Sequence, residues 1–395
     1  MKGLLLDFWS EFDFLFKNFT TFFTNDAGGT GAPGWKLIVM WVVGIVLIYL
    51  AIKKEMEPAL LLPMGFGAIL VNIPFSGAIG ESGIIESLFR VGIEASEAMP
   101  LILFIGIGAM IDFGPLIANP KLMFFGAAAQ FGIFLTIILA SFFPQFSFAD
   151  AAAIGIIGAA DGPTSILVAN TLRSNYLGAI MVVAYSYMAL VPIIQPFAIK
   201  MVTTKKERAI RMEYKPDSVK KSTKIIFPIL CTLIAGLLAP QSVSLVGCLM
   251  LGNLIRECGV LNSLSETASK VLANLITLLL GVTIAFSMQA KDFVQLETLI
   301  IMALGLFAFV LDTISGVMFA KLINLFSKTK INPMVGAAGI SAFPMSSRVV
   351  QKLGLEADPQ NHLLMHAAAA NVSGQVASVL AGGVILSIVP QMLGI

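Results

Sequence analysis

Long apolar runs at 36–52, 121–143, 177–199, 225–239, 271–288 and 299–320 constrain this chain more than any other feature. Runs of this length suit helices crossing lipid, where every backbone N–H and C=O must be satisfied within the segment. Composition agrees: 57% of the 395 residues are hydrophobic and 12% are charged, about half the roughly 25% charge of a soluble domain. With mean hydropathy at +0.91, a water-soluble two-domain enzyme is excluded. The runs are apolar on all sides and studded with glycine, without the alternation of a lipid-facing strand, so an outer-membrane barrel is excluded too. The expected fold class is all-α, a polytopic membrane helix bundle.

Charge is unevenly placed. Nine of the 25 Lys and Arg residues fall in 200–224, against the acids Glu207, Glu213 and Asp217. The bias of basic residues toward the cytoplasmic side makes 200–224 a cytoplasmic loop. No aromatic platform or folded module accompanies these charges, so no nucleic-acid partner is expected. Cys231, Cys248 and Cys258 show no CxxC pairing and imply neither disulfide nor metal. Near the N-terminus, Asp7, Glu11, Asp13 and Lys17 interrupt the apolar core that a cleaved signal would need. Leu4, Phe8, Phe12, Phe16, Phe19 and Phe23 recur at helical spacing instead, so residues 1–35 are expected to be an interfacial amphipathic helix and a glycine-rich loop, GGTGAPG at 28–34. No strand precedes that loop, which removes a phosphate-binding reading.

Internal symmetry comes next. Setting IGIIGAADGPTSILV (154–168) over VGAAGISAFPMSSRV (335–349) aligns Gly155 with Gly336, Gly158 with Gly339, Pro163 with Pro344, Ser165 with Ser346 and Val168 with Val349. The runs 36–52 and 225–239, and 121–143 and 299–320, fall in the same register. Lys53 and Lys54 end the first span, whereas Lys220, Lys221 and Lys224 begin its counterpart, so the repeats at 36–199 and 225–395 are expected to be inverted, with the C-terminus outside. In each aligned block a glycine-rich stretch meets a proline, which predicts paired broken helices. Backbone groups freed by such breaks at membrane depth need protein, water or an ion as partners, and two facing breaks form a candidate ion site.

Asp161 stands immediately before the first break, in DGPT. A carboxylate in mid-membrane has to be neutral, paired or ion-bound. The bland alternative is a protonated or helix-capping group; Thr164 and Ser165 add hard hydroxyl oxygens that favour Na+ or H+. Arg348, after the second break, either snorkels to an interface, holds a carboxylate such as Asp161, or recognises an anionic substrate group. Tyr187 either relays a proton or caps a carbonyl. Asn371, Ser373 and Gln375 lie on the helix after the second break, and an offset of about 184, rather than the 181 of the aligned blocks, sets Asn371 over Tyr187. His362 and His366, four apart, lack a metalloprotease pattern and are expected at a surface. Asp312, inside an apolar run, is a packed, protonated or paired carboxyl, or something more.

At GIIGAADGPTSI (155–166), NPMVGAAGISAFPMSSRVVQK (332–352) and HAAAANVSGQVAS (366–378), supported by KKEMEPALLLPMGFGAILVNIP (53–74) and LMLGNLIRECGV (249–260), the chain resembles a known family. It is similar to the integral-membrane beta subunits of the sodium-pumping, biotin-dependent decarboxylases of oxaloacetate, methylmalonyl-CoA, glutaconyl-CoA or malonate. The resemblance implies that carboxybiotin is decarboxylated in the membrane subunit, consuming an outer proton while Na+ moves outward. It implies roles for Asp161 as Na+-binding and coupling carboxylate, for Tyr187, Ser341 and Arg348 in catalysis, and for Asn332, Gly336 and Arg348 in holding carboxybiotin. Asn371 and Ser373 join Asp161 and Thr164 as Na+ ligands on the repeat geometry alone. The chain has no MKM biotinylation site, so biotin is expected on a partner carrier protein. A cytoplasmic carboxyltransferase, a small membrane subunit and further copies of this chain are the other expected partners, in the cell membrane. The rival reading is a stand-alone Na+-coupled symporter or antiporter.

Overall fold

A computed structural model of the chain describes residues 30–80, 83–212 and 219–394. Among these there are helices and turns but no strand, and six helices are long and apolar enough to cross a membrane. The protein is an all-α, multi-pass membrane bundle. The aromatic stripe expected over residues 4–23 lies outside the described residues. The chain divides into two compact units, residues 30–96 with Leu278–Thr298, and Glu97–Thr277 with residues 299–394.

In the first unit, α1 (Gly34–Lys54) starts after the extended Pro33 and stops where Glu55 turns left-handed (φ 52°). Lys53 and Lys54 close its last turn, where cations complement the helix dipole. α2 (Pro58–Val71) begins on a proline, whose missing N–H costs nothing at that position. The two pack backbone to backbone at Gly44 and Gly65. The outer face of α1 exposes Trp35, Ile38, Val42, Ile45, Tyr49 and Ile52. An apolar face this extensive calls for lipid as its solvent. α3 (Ile84–Phe89) continues into a π-helical turn, Arg90–Glu94. Asn72 fastens the unit: its Nδ2 donates to Ala68 O and Met288 O, both at 2.7 Å, and its Oδ1 accepts from Ala290 N–H at 2.7 Å. Met288 ends a tight turn, Ala285–Met288, that terminates α12 (Ala273–Ile284).

The second unit carries α4 (Ala98–Met110), α5 (Met123–Ala129), α6 (Phe131–Ala140), α7 (Phe148–Gly155), α8 (Gly162–Thr171) and α9 (Leu177–Val202). Then follow α10 (Lys221–Leu238), α11 (Val243–Glu257), α13 (Leu296–Phe326), α14 (Met345–Ala357) and α15 (Leu364–Leu393). Helices α9 and α10 take the outermost residues of the basic segment 200–224. The core of this unit, including Phe104, Ile133, Phe309, Val335, Ile340 and Val372, surrounds the stretch where helices break.

α4 and α11 are the tightest pair. A Cβ on Gly108 would lie 1.9 Å from Leu249 O, and one on Gly252 would lie 2.0 Å from Ile105 O. Small residues let membrane helices approach closely, which substitutes for the hydrophobic drive that lipid does not supply. Gly252→Ala is expected to lose about 1–3 kcal/mol through overpacking against backbone that cannot yield. Gly236→Ala, whose added methyl meets only Val243 Cγ2 at 3.4 Å, is the neutral control. Heating detergent extracts and measuring the remaining monodisperse protein separates the two.

Candidate functional site

The first break is built by local sequence. Ser147 and Asp150 form a capping box at the start of α7, accepting each other's backbone N–H. The helix tightens into a 3-10 turn at Ile156–Ala159, Ala160 turns left-handed, and Asp161 is extended. Gly162 and Pro163 then open α8, where the missing proline N–H is tolerated. Asp161 caps α8. Its Oδ1 accepts from Thr164 N–H at 3.4 Å, and its Oδ2 accepts from Thr164 Oγ1 at 2.7 Å and from Ser378 Oγ at 2.8 Å. Ser165 Oγ donates to the Asp161 carbonyl at 2.8 Å. Asp161 is only 4% exposed, and among the described residues no Lys, Arg or His contacts it.

The second break leaves one short helical turn, Met334–Ala337, then an irregular stretch before α14. The two breaks meet directly. Ser341 donates both its N–H, at 3.1 Å, and its Oγ–H, at 2.7 Å, to the Ala159 carbonyl that the first break leaves free. α15 lines both: Asn371 Nδ2 donates to Ile340 O at 2.6 Å, Gln375 Nε2 to Ser341 O, and Ser378 Oγ to Asp161. These residues, at i, i+4 and i+7, share one helix face. Asn371 Oδ1 and Gln375 Oε1 are buried with no partner. Carboxylate, hydroxyl and orphaned amide oxygens on one helix face and the adjoining break make a donor set of the hard type that an alkali cation takes.

The other predicted residues fall in several places. Thr164 joins Asp161. Ser373 points to the opposite side of α15, donating to Leu122 O (3.0 Å) and Ala370 O (2.6 Å) and accepting from Gly126 N–H (3.1 Å). Gly336 is a close-packing position, where a Cβ would lie 2.0 Å from Gly316 O. Tyr187 donates to the Met302 carbonyl on α13, the carbonyl-capping alternative. Tyr185 is nearer Asp161: its ring lies against Gly162, where a Cβ would meet Cζ at 2.3 Å, and its buried hydroxyl has no partner. Arg348 is exposed in the first turn of α14 and pairs with none of the described acids, Asp161 included. His362 is exposed, 3.4 Å from Gln351. Ser378 is absent from the sequence reading, yet its position three residues after Gln375 and seven after Asn371 is the signal that marks it.

Asn332 has a different task. Its Nδ2 donates to Arg208 O (2.9 Å) and Ile210 O (2.8 Å), while its Oδ1 accepts from Met334 N–H (3.0 Å). Asn361 Nδ2 reaches the same Arg208 carbonyl at 2.9 Å. Lys321 pairs with Glu207 at 2.9 Å and Arg211 with Asp358 at 2.5 Å. The Arg211 hydrogen bond holds the Asp358 carboxyl below its usual range. That contact is therefore intact at neutral pH and is lost only as pH falls through the lowered value. Residues 203–212 are thus clamped onto the start of the second break. Asn332→Ala removes three side-chain hydrogen bonds, two of them to the 203–212 segment and worth about 1–3 kcal/mol together; tryptic cleavage after Arg208 and Arg211 is expected to speed up roughly tenfold.

A bundle of broken membrane helices whose breaks converge on a buried carboxylate defines an ion-handling membrane protein. Residues 36–389 match the family model described as the Na+-transporting oxaloacetate decarboxylase beta subunit. The chain is 47% identical to the methylmalonyl-CoA decarboxylase subunit beta of Propionigenium modestum, over 89% of this chain and 94% of that one. It is 47% identical to the glutaconyl-CoA decarboxylase subunit beta of Acidaminococcus fermentans, over 90% and 94%. To a probable oxaloacetate decarboxylase beta chain of Vibrio cholerae it is 44% identical, over 90% and 96%. The chain belongs to the family of Na+-transporting decarboxylase beta subunits, and it is the membrane subunit of a multi-subunit decarboxylase.

Proposed function

We propose that this chain decarboxylates carboxybiotin brought by a partner carrier and couples the reaction to outward movement of Na+, with a proton consumed from the outer side. The observation that carries the reading is Asp161, a buried carboxylate without a cationic partner, set where two helix breaks meet and among hydroxyl and amide oxygens. Na+ as cargo takes Asp161, Thr164 and Ser378 as first ligands, with the free oxygens of Asn371 and Gln375 within the same face. Ser373, spent on α5, supports the fold of the site from behind. Arg348, exposed and unpaired among the described residues, receives the substrate carboxylate, for which a planar guanidinium is suited. Ser341 bridges the breaks, so a change at the substrate side reaches the Asp161 side through one hydrogen-bonded contact. Asn332 and Gly336 hold the second break in place for carboxybiotin, and Tyr187 fixes α9 against α13.

Loss of CO2 is eased where the carboxylate is stripped of water and its leaving nitrogen is protonated. Moving one charge outward against 100 mV costs about 2.3 kcal/mol, within the reach of a decarboxylation for one or two ions. Inverted repeats at 36–199 and 225–395 give the alternating access this needs. The element order supports them: π-helical turns at Arg90–Glu94 and Thr267–Leu272, breaks after Gly155 and after Ala337, and long helices Leu177–Val202 and Leu364–Leu393 recur in sequence at near-constant offset. In this reading the segment 200–224 faces the cytoplasm, where the carboxyltransferase and biotin carrier act, and the C-terminus lies outside.

Two measurements test the proposal. Free carboxybiotin added to the reconstituted chain releases CO2 and drives 22Na+ flux; 22Na+ exchange with no effect of carboxybiotin would instead identify a stand-alone transporter. Asp161→Asn abolishes Na+-dependent decarboxylation, and Ser378→Ala raises the Na+ concentration needed for half-maximal turnover by roughly tenfold, the worth of one hydrogen bond to a charged group. Unchanged Na+ dependence in both variants would sink the site.

A further inference from the structure

The molecule holds a second buried carboxylate that the scheme above does not use. Asp312 sits near the middle of α13, fully buried. Its Oδ1 accepts from Gly132 N–H at 2.5 Å, and the Ile133 N–H also interacts with the carboxyl group, so Asp312 caps the start of α6 from a neighbouring helix. Three residues on, Ser315 Oγ donates to Ala128 O at 2.9 Å, on the other side of the same interruption between α5 and α6. Half of the carboxyl is therefore structural. The other half is not: Oδ2 is buried with no partner. It faces Gly158, in the 3-10 turn of the first break, where a Cβ would lie 2.6 Å from Oδ2 and 2.8 Å from the Ala308 methyl.

The surroundings decide what Oδ2 can hold. Residues 123–140 and 154–160 contain no titratable side chain. The turn Met334–Ala337, which meets α13 at Gly316, contains none either. On α13 itself, Lys321 is paired with Glu207, and Glu297 is four turns away. From α9, Tyr187 is engaged at Met302, and Asp161 stands beyond the turn as a second acid. Among the described residues no cation neutralises Asp312, and leaving it ionised with one bare oxygen costs several kcal/mol. A Na+ ion needs several oxygen ligands, whereas Oδ2 meets a glycine and a methyl. A proton needs one oxygen.

We propose that Asp312 is a proton-binding site that holds the hydrogen consumed in the reaction. The inference rests on the decarboxylating function proposed above. When the N–C bond of an N-carboxylated substrate breaks, CO2 leaves, the electron pair stays on nitrogen, and nitrogen takes up one proton. Asp312 releases one proton toward the break, becomes a carboxylate held by the α6 N–H groups, and regains a proton from water. Its two oxygens suit this division: one is permanently bonded to α6, which tolerates negative charge at a helix start, and the other is free to load and unload. The free oxygen lies one residue from Ala159, whose carbonyl Ser341 binds, so proton site, Na+ site and Ser341 share one turn of chain.

Asp312→Asn separates this role from helix capping, because an amide oxygen accepts the Gly132 N–H as well as a carboxylate does. In the assembled complex in vesicles, Asp312→Asn is expected to bind 22Na+ at equilibrium like the parent, while decarboxylation-driven 22Na+ uptake falls by roughly 100-fold. Parent-like uptake would overturn the proposal and leave Asp312 as a cap. Loss of a bound Na+ would overturn it too, making Asp312 a sodium ligand. If Asp312→Asn does not assemble, infrared spectra of Asp161→Asn decide: a protonated-carboxyl band at neutral pH is expected, and its absence rejects the proton site. Equilibrium Na+ binding that survives in Asp161→Asn would count against the sodium site alone, not against Asp312.

Discussion

The structure depends on one constraint, that a carbonyl freed inside a membrane must find a donor. When α7 tightens and stops, Ala159 O is left without its helical partner, and Ser341 supplies two donors to it from the other break. Most of what surrounds the site follows from that contact. The second break must be irregular where Ser341 sits, and α15 must pass close enough for Asn371 and Gln375 to bond the carbonyls of Ile340 and Ser341. Gly374 on α15 makes that approach possible, since a Cβ there would lie 2.3 Å from Gly339 O.

Burial without a cation gives this arrangement its chemistry. Among the described residues Asp161 is bonded to hydroxyls and an N–H, and Asp312 to the N–H groups of a half-helix. Structural ion pairs do exist in the protein, but they gather at helix ends, as in Lys224 with Asp112 and Glu257. Among the described residues no cation pairs with Asp161 or Asp312, and carboxyl, hydroxyl and amide oxygens are left over beside the first break. Oxygen atoms so arranged are the basis on which a small cation is proposed as their partner.

Much of this was legible in residue order. The apolar runs identified the membrane bundle, and the Gly and Pro spacing located both interruptions, because these residues act on the backbone wherever they stand. Asp161 stood out for the same local reason. Its partner Ser378 did not, because twenty-five other serines and the span of 217 residues between the two gave no local cue; only the helical register from Asn371 points there. Tyr185 and Tyr187 are equivalent in composition and two residues apart, and helix phase sends one toward Gly162 and the other toward Met302. Asn332 looked like a ligand by its place in the motif, but its amide is committed to the backbone of Arg208 and Ile210.

Family motifs and hydropathy are properties of residues in order, so the sequence by itself determined the fold class, the family and the position of the central acid. Which oxygens converge on that acid was decided by tertiary structure alone. Side chains from α8, α15 and two breaks meet only after helices pack, and glycines such as Gly158 and Gly374 act by what their missing side chains allow another element to reach. Asp312 carries the lesson furthest: in the sequence it is one acid in an apolar run, and only packing sets one of its oxygens on α6 and leaves the other facing the break.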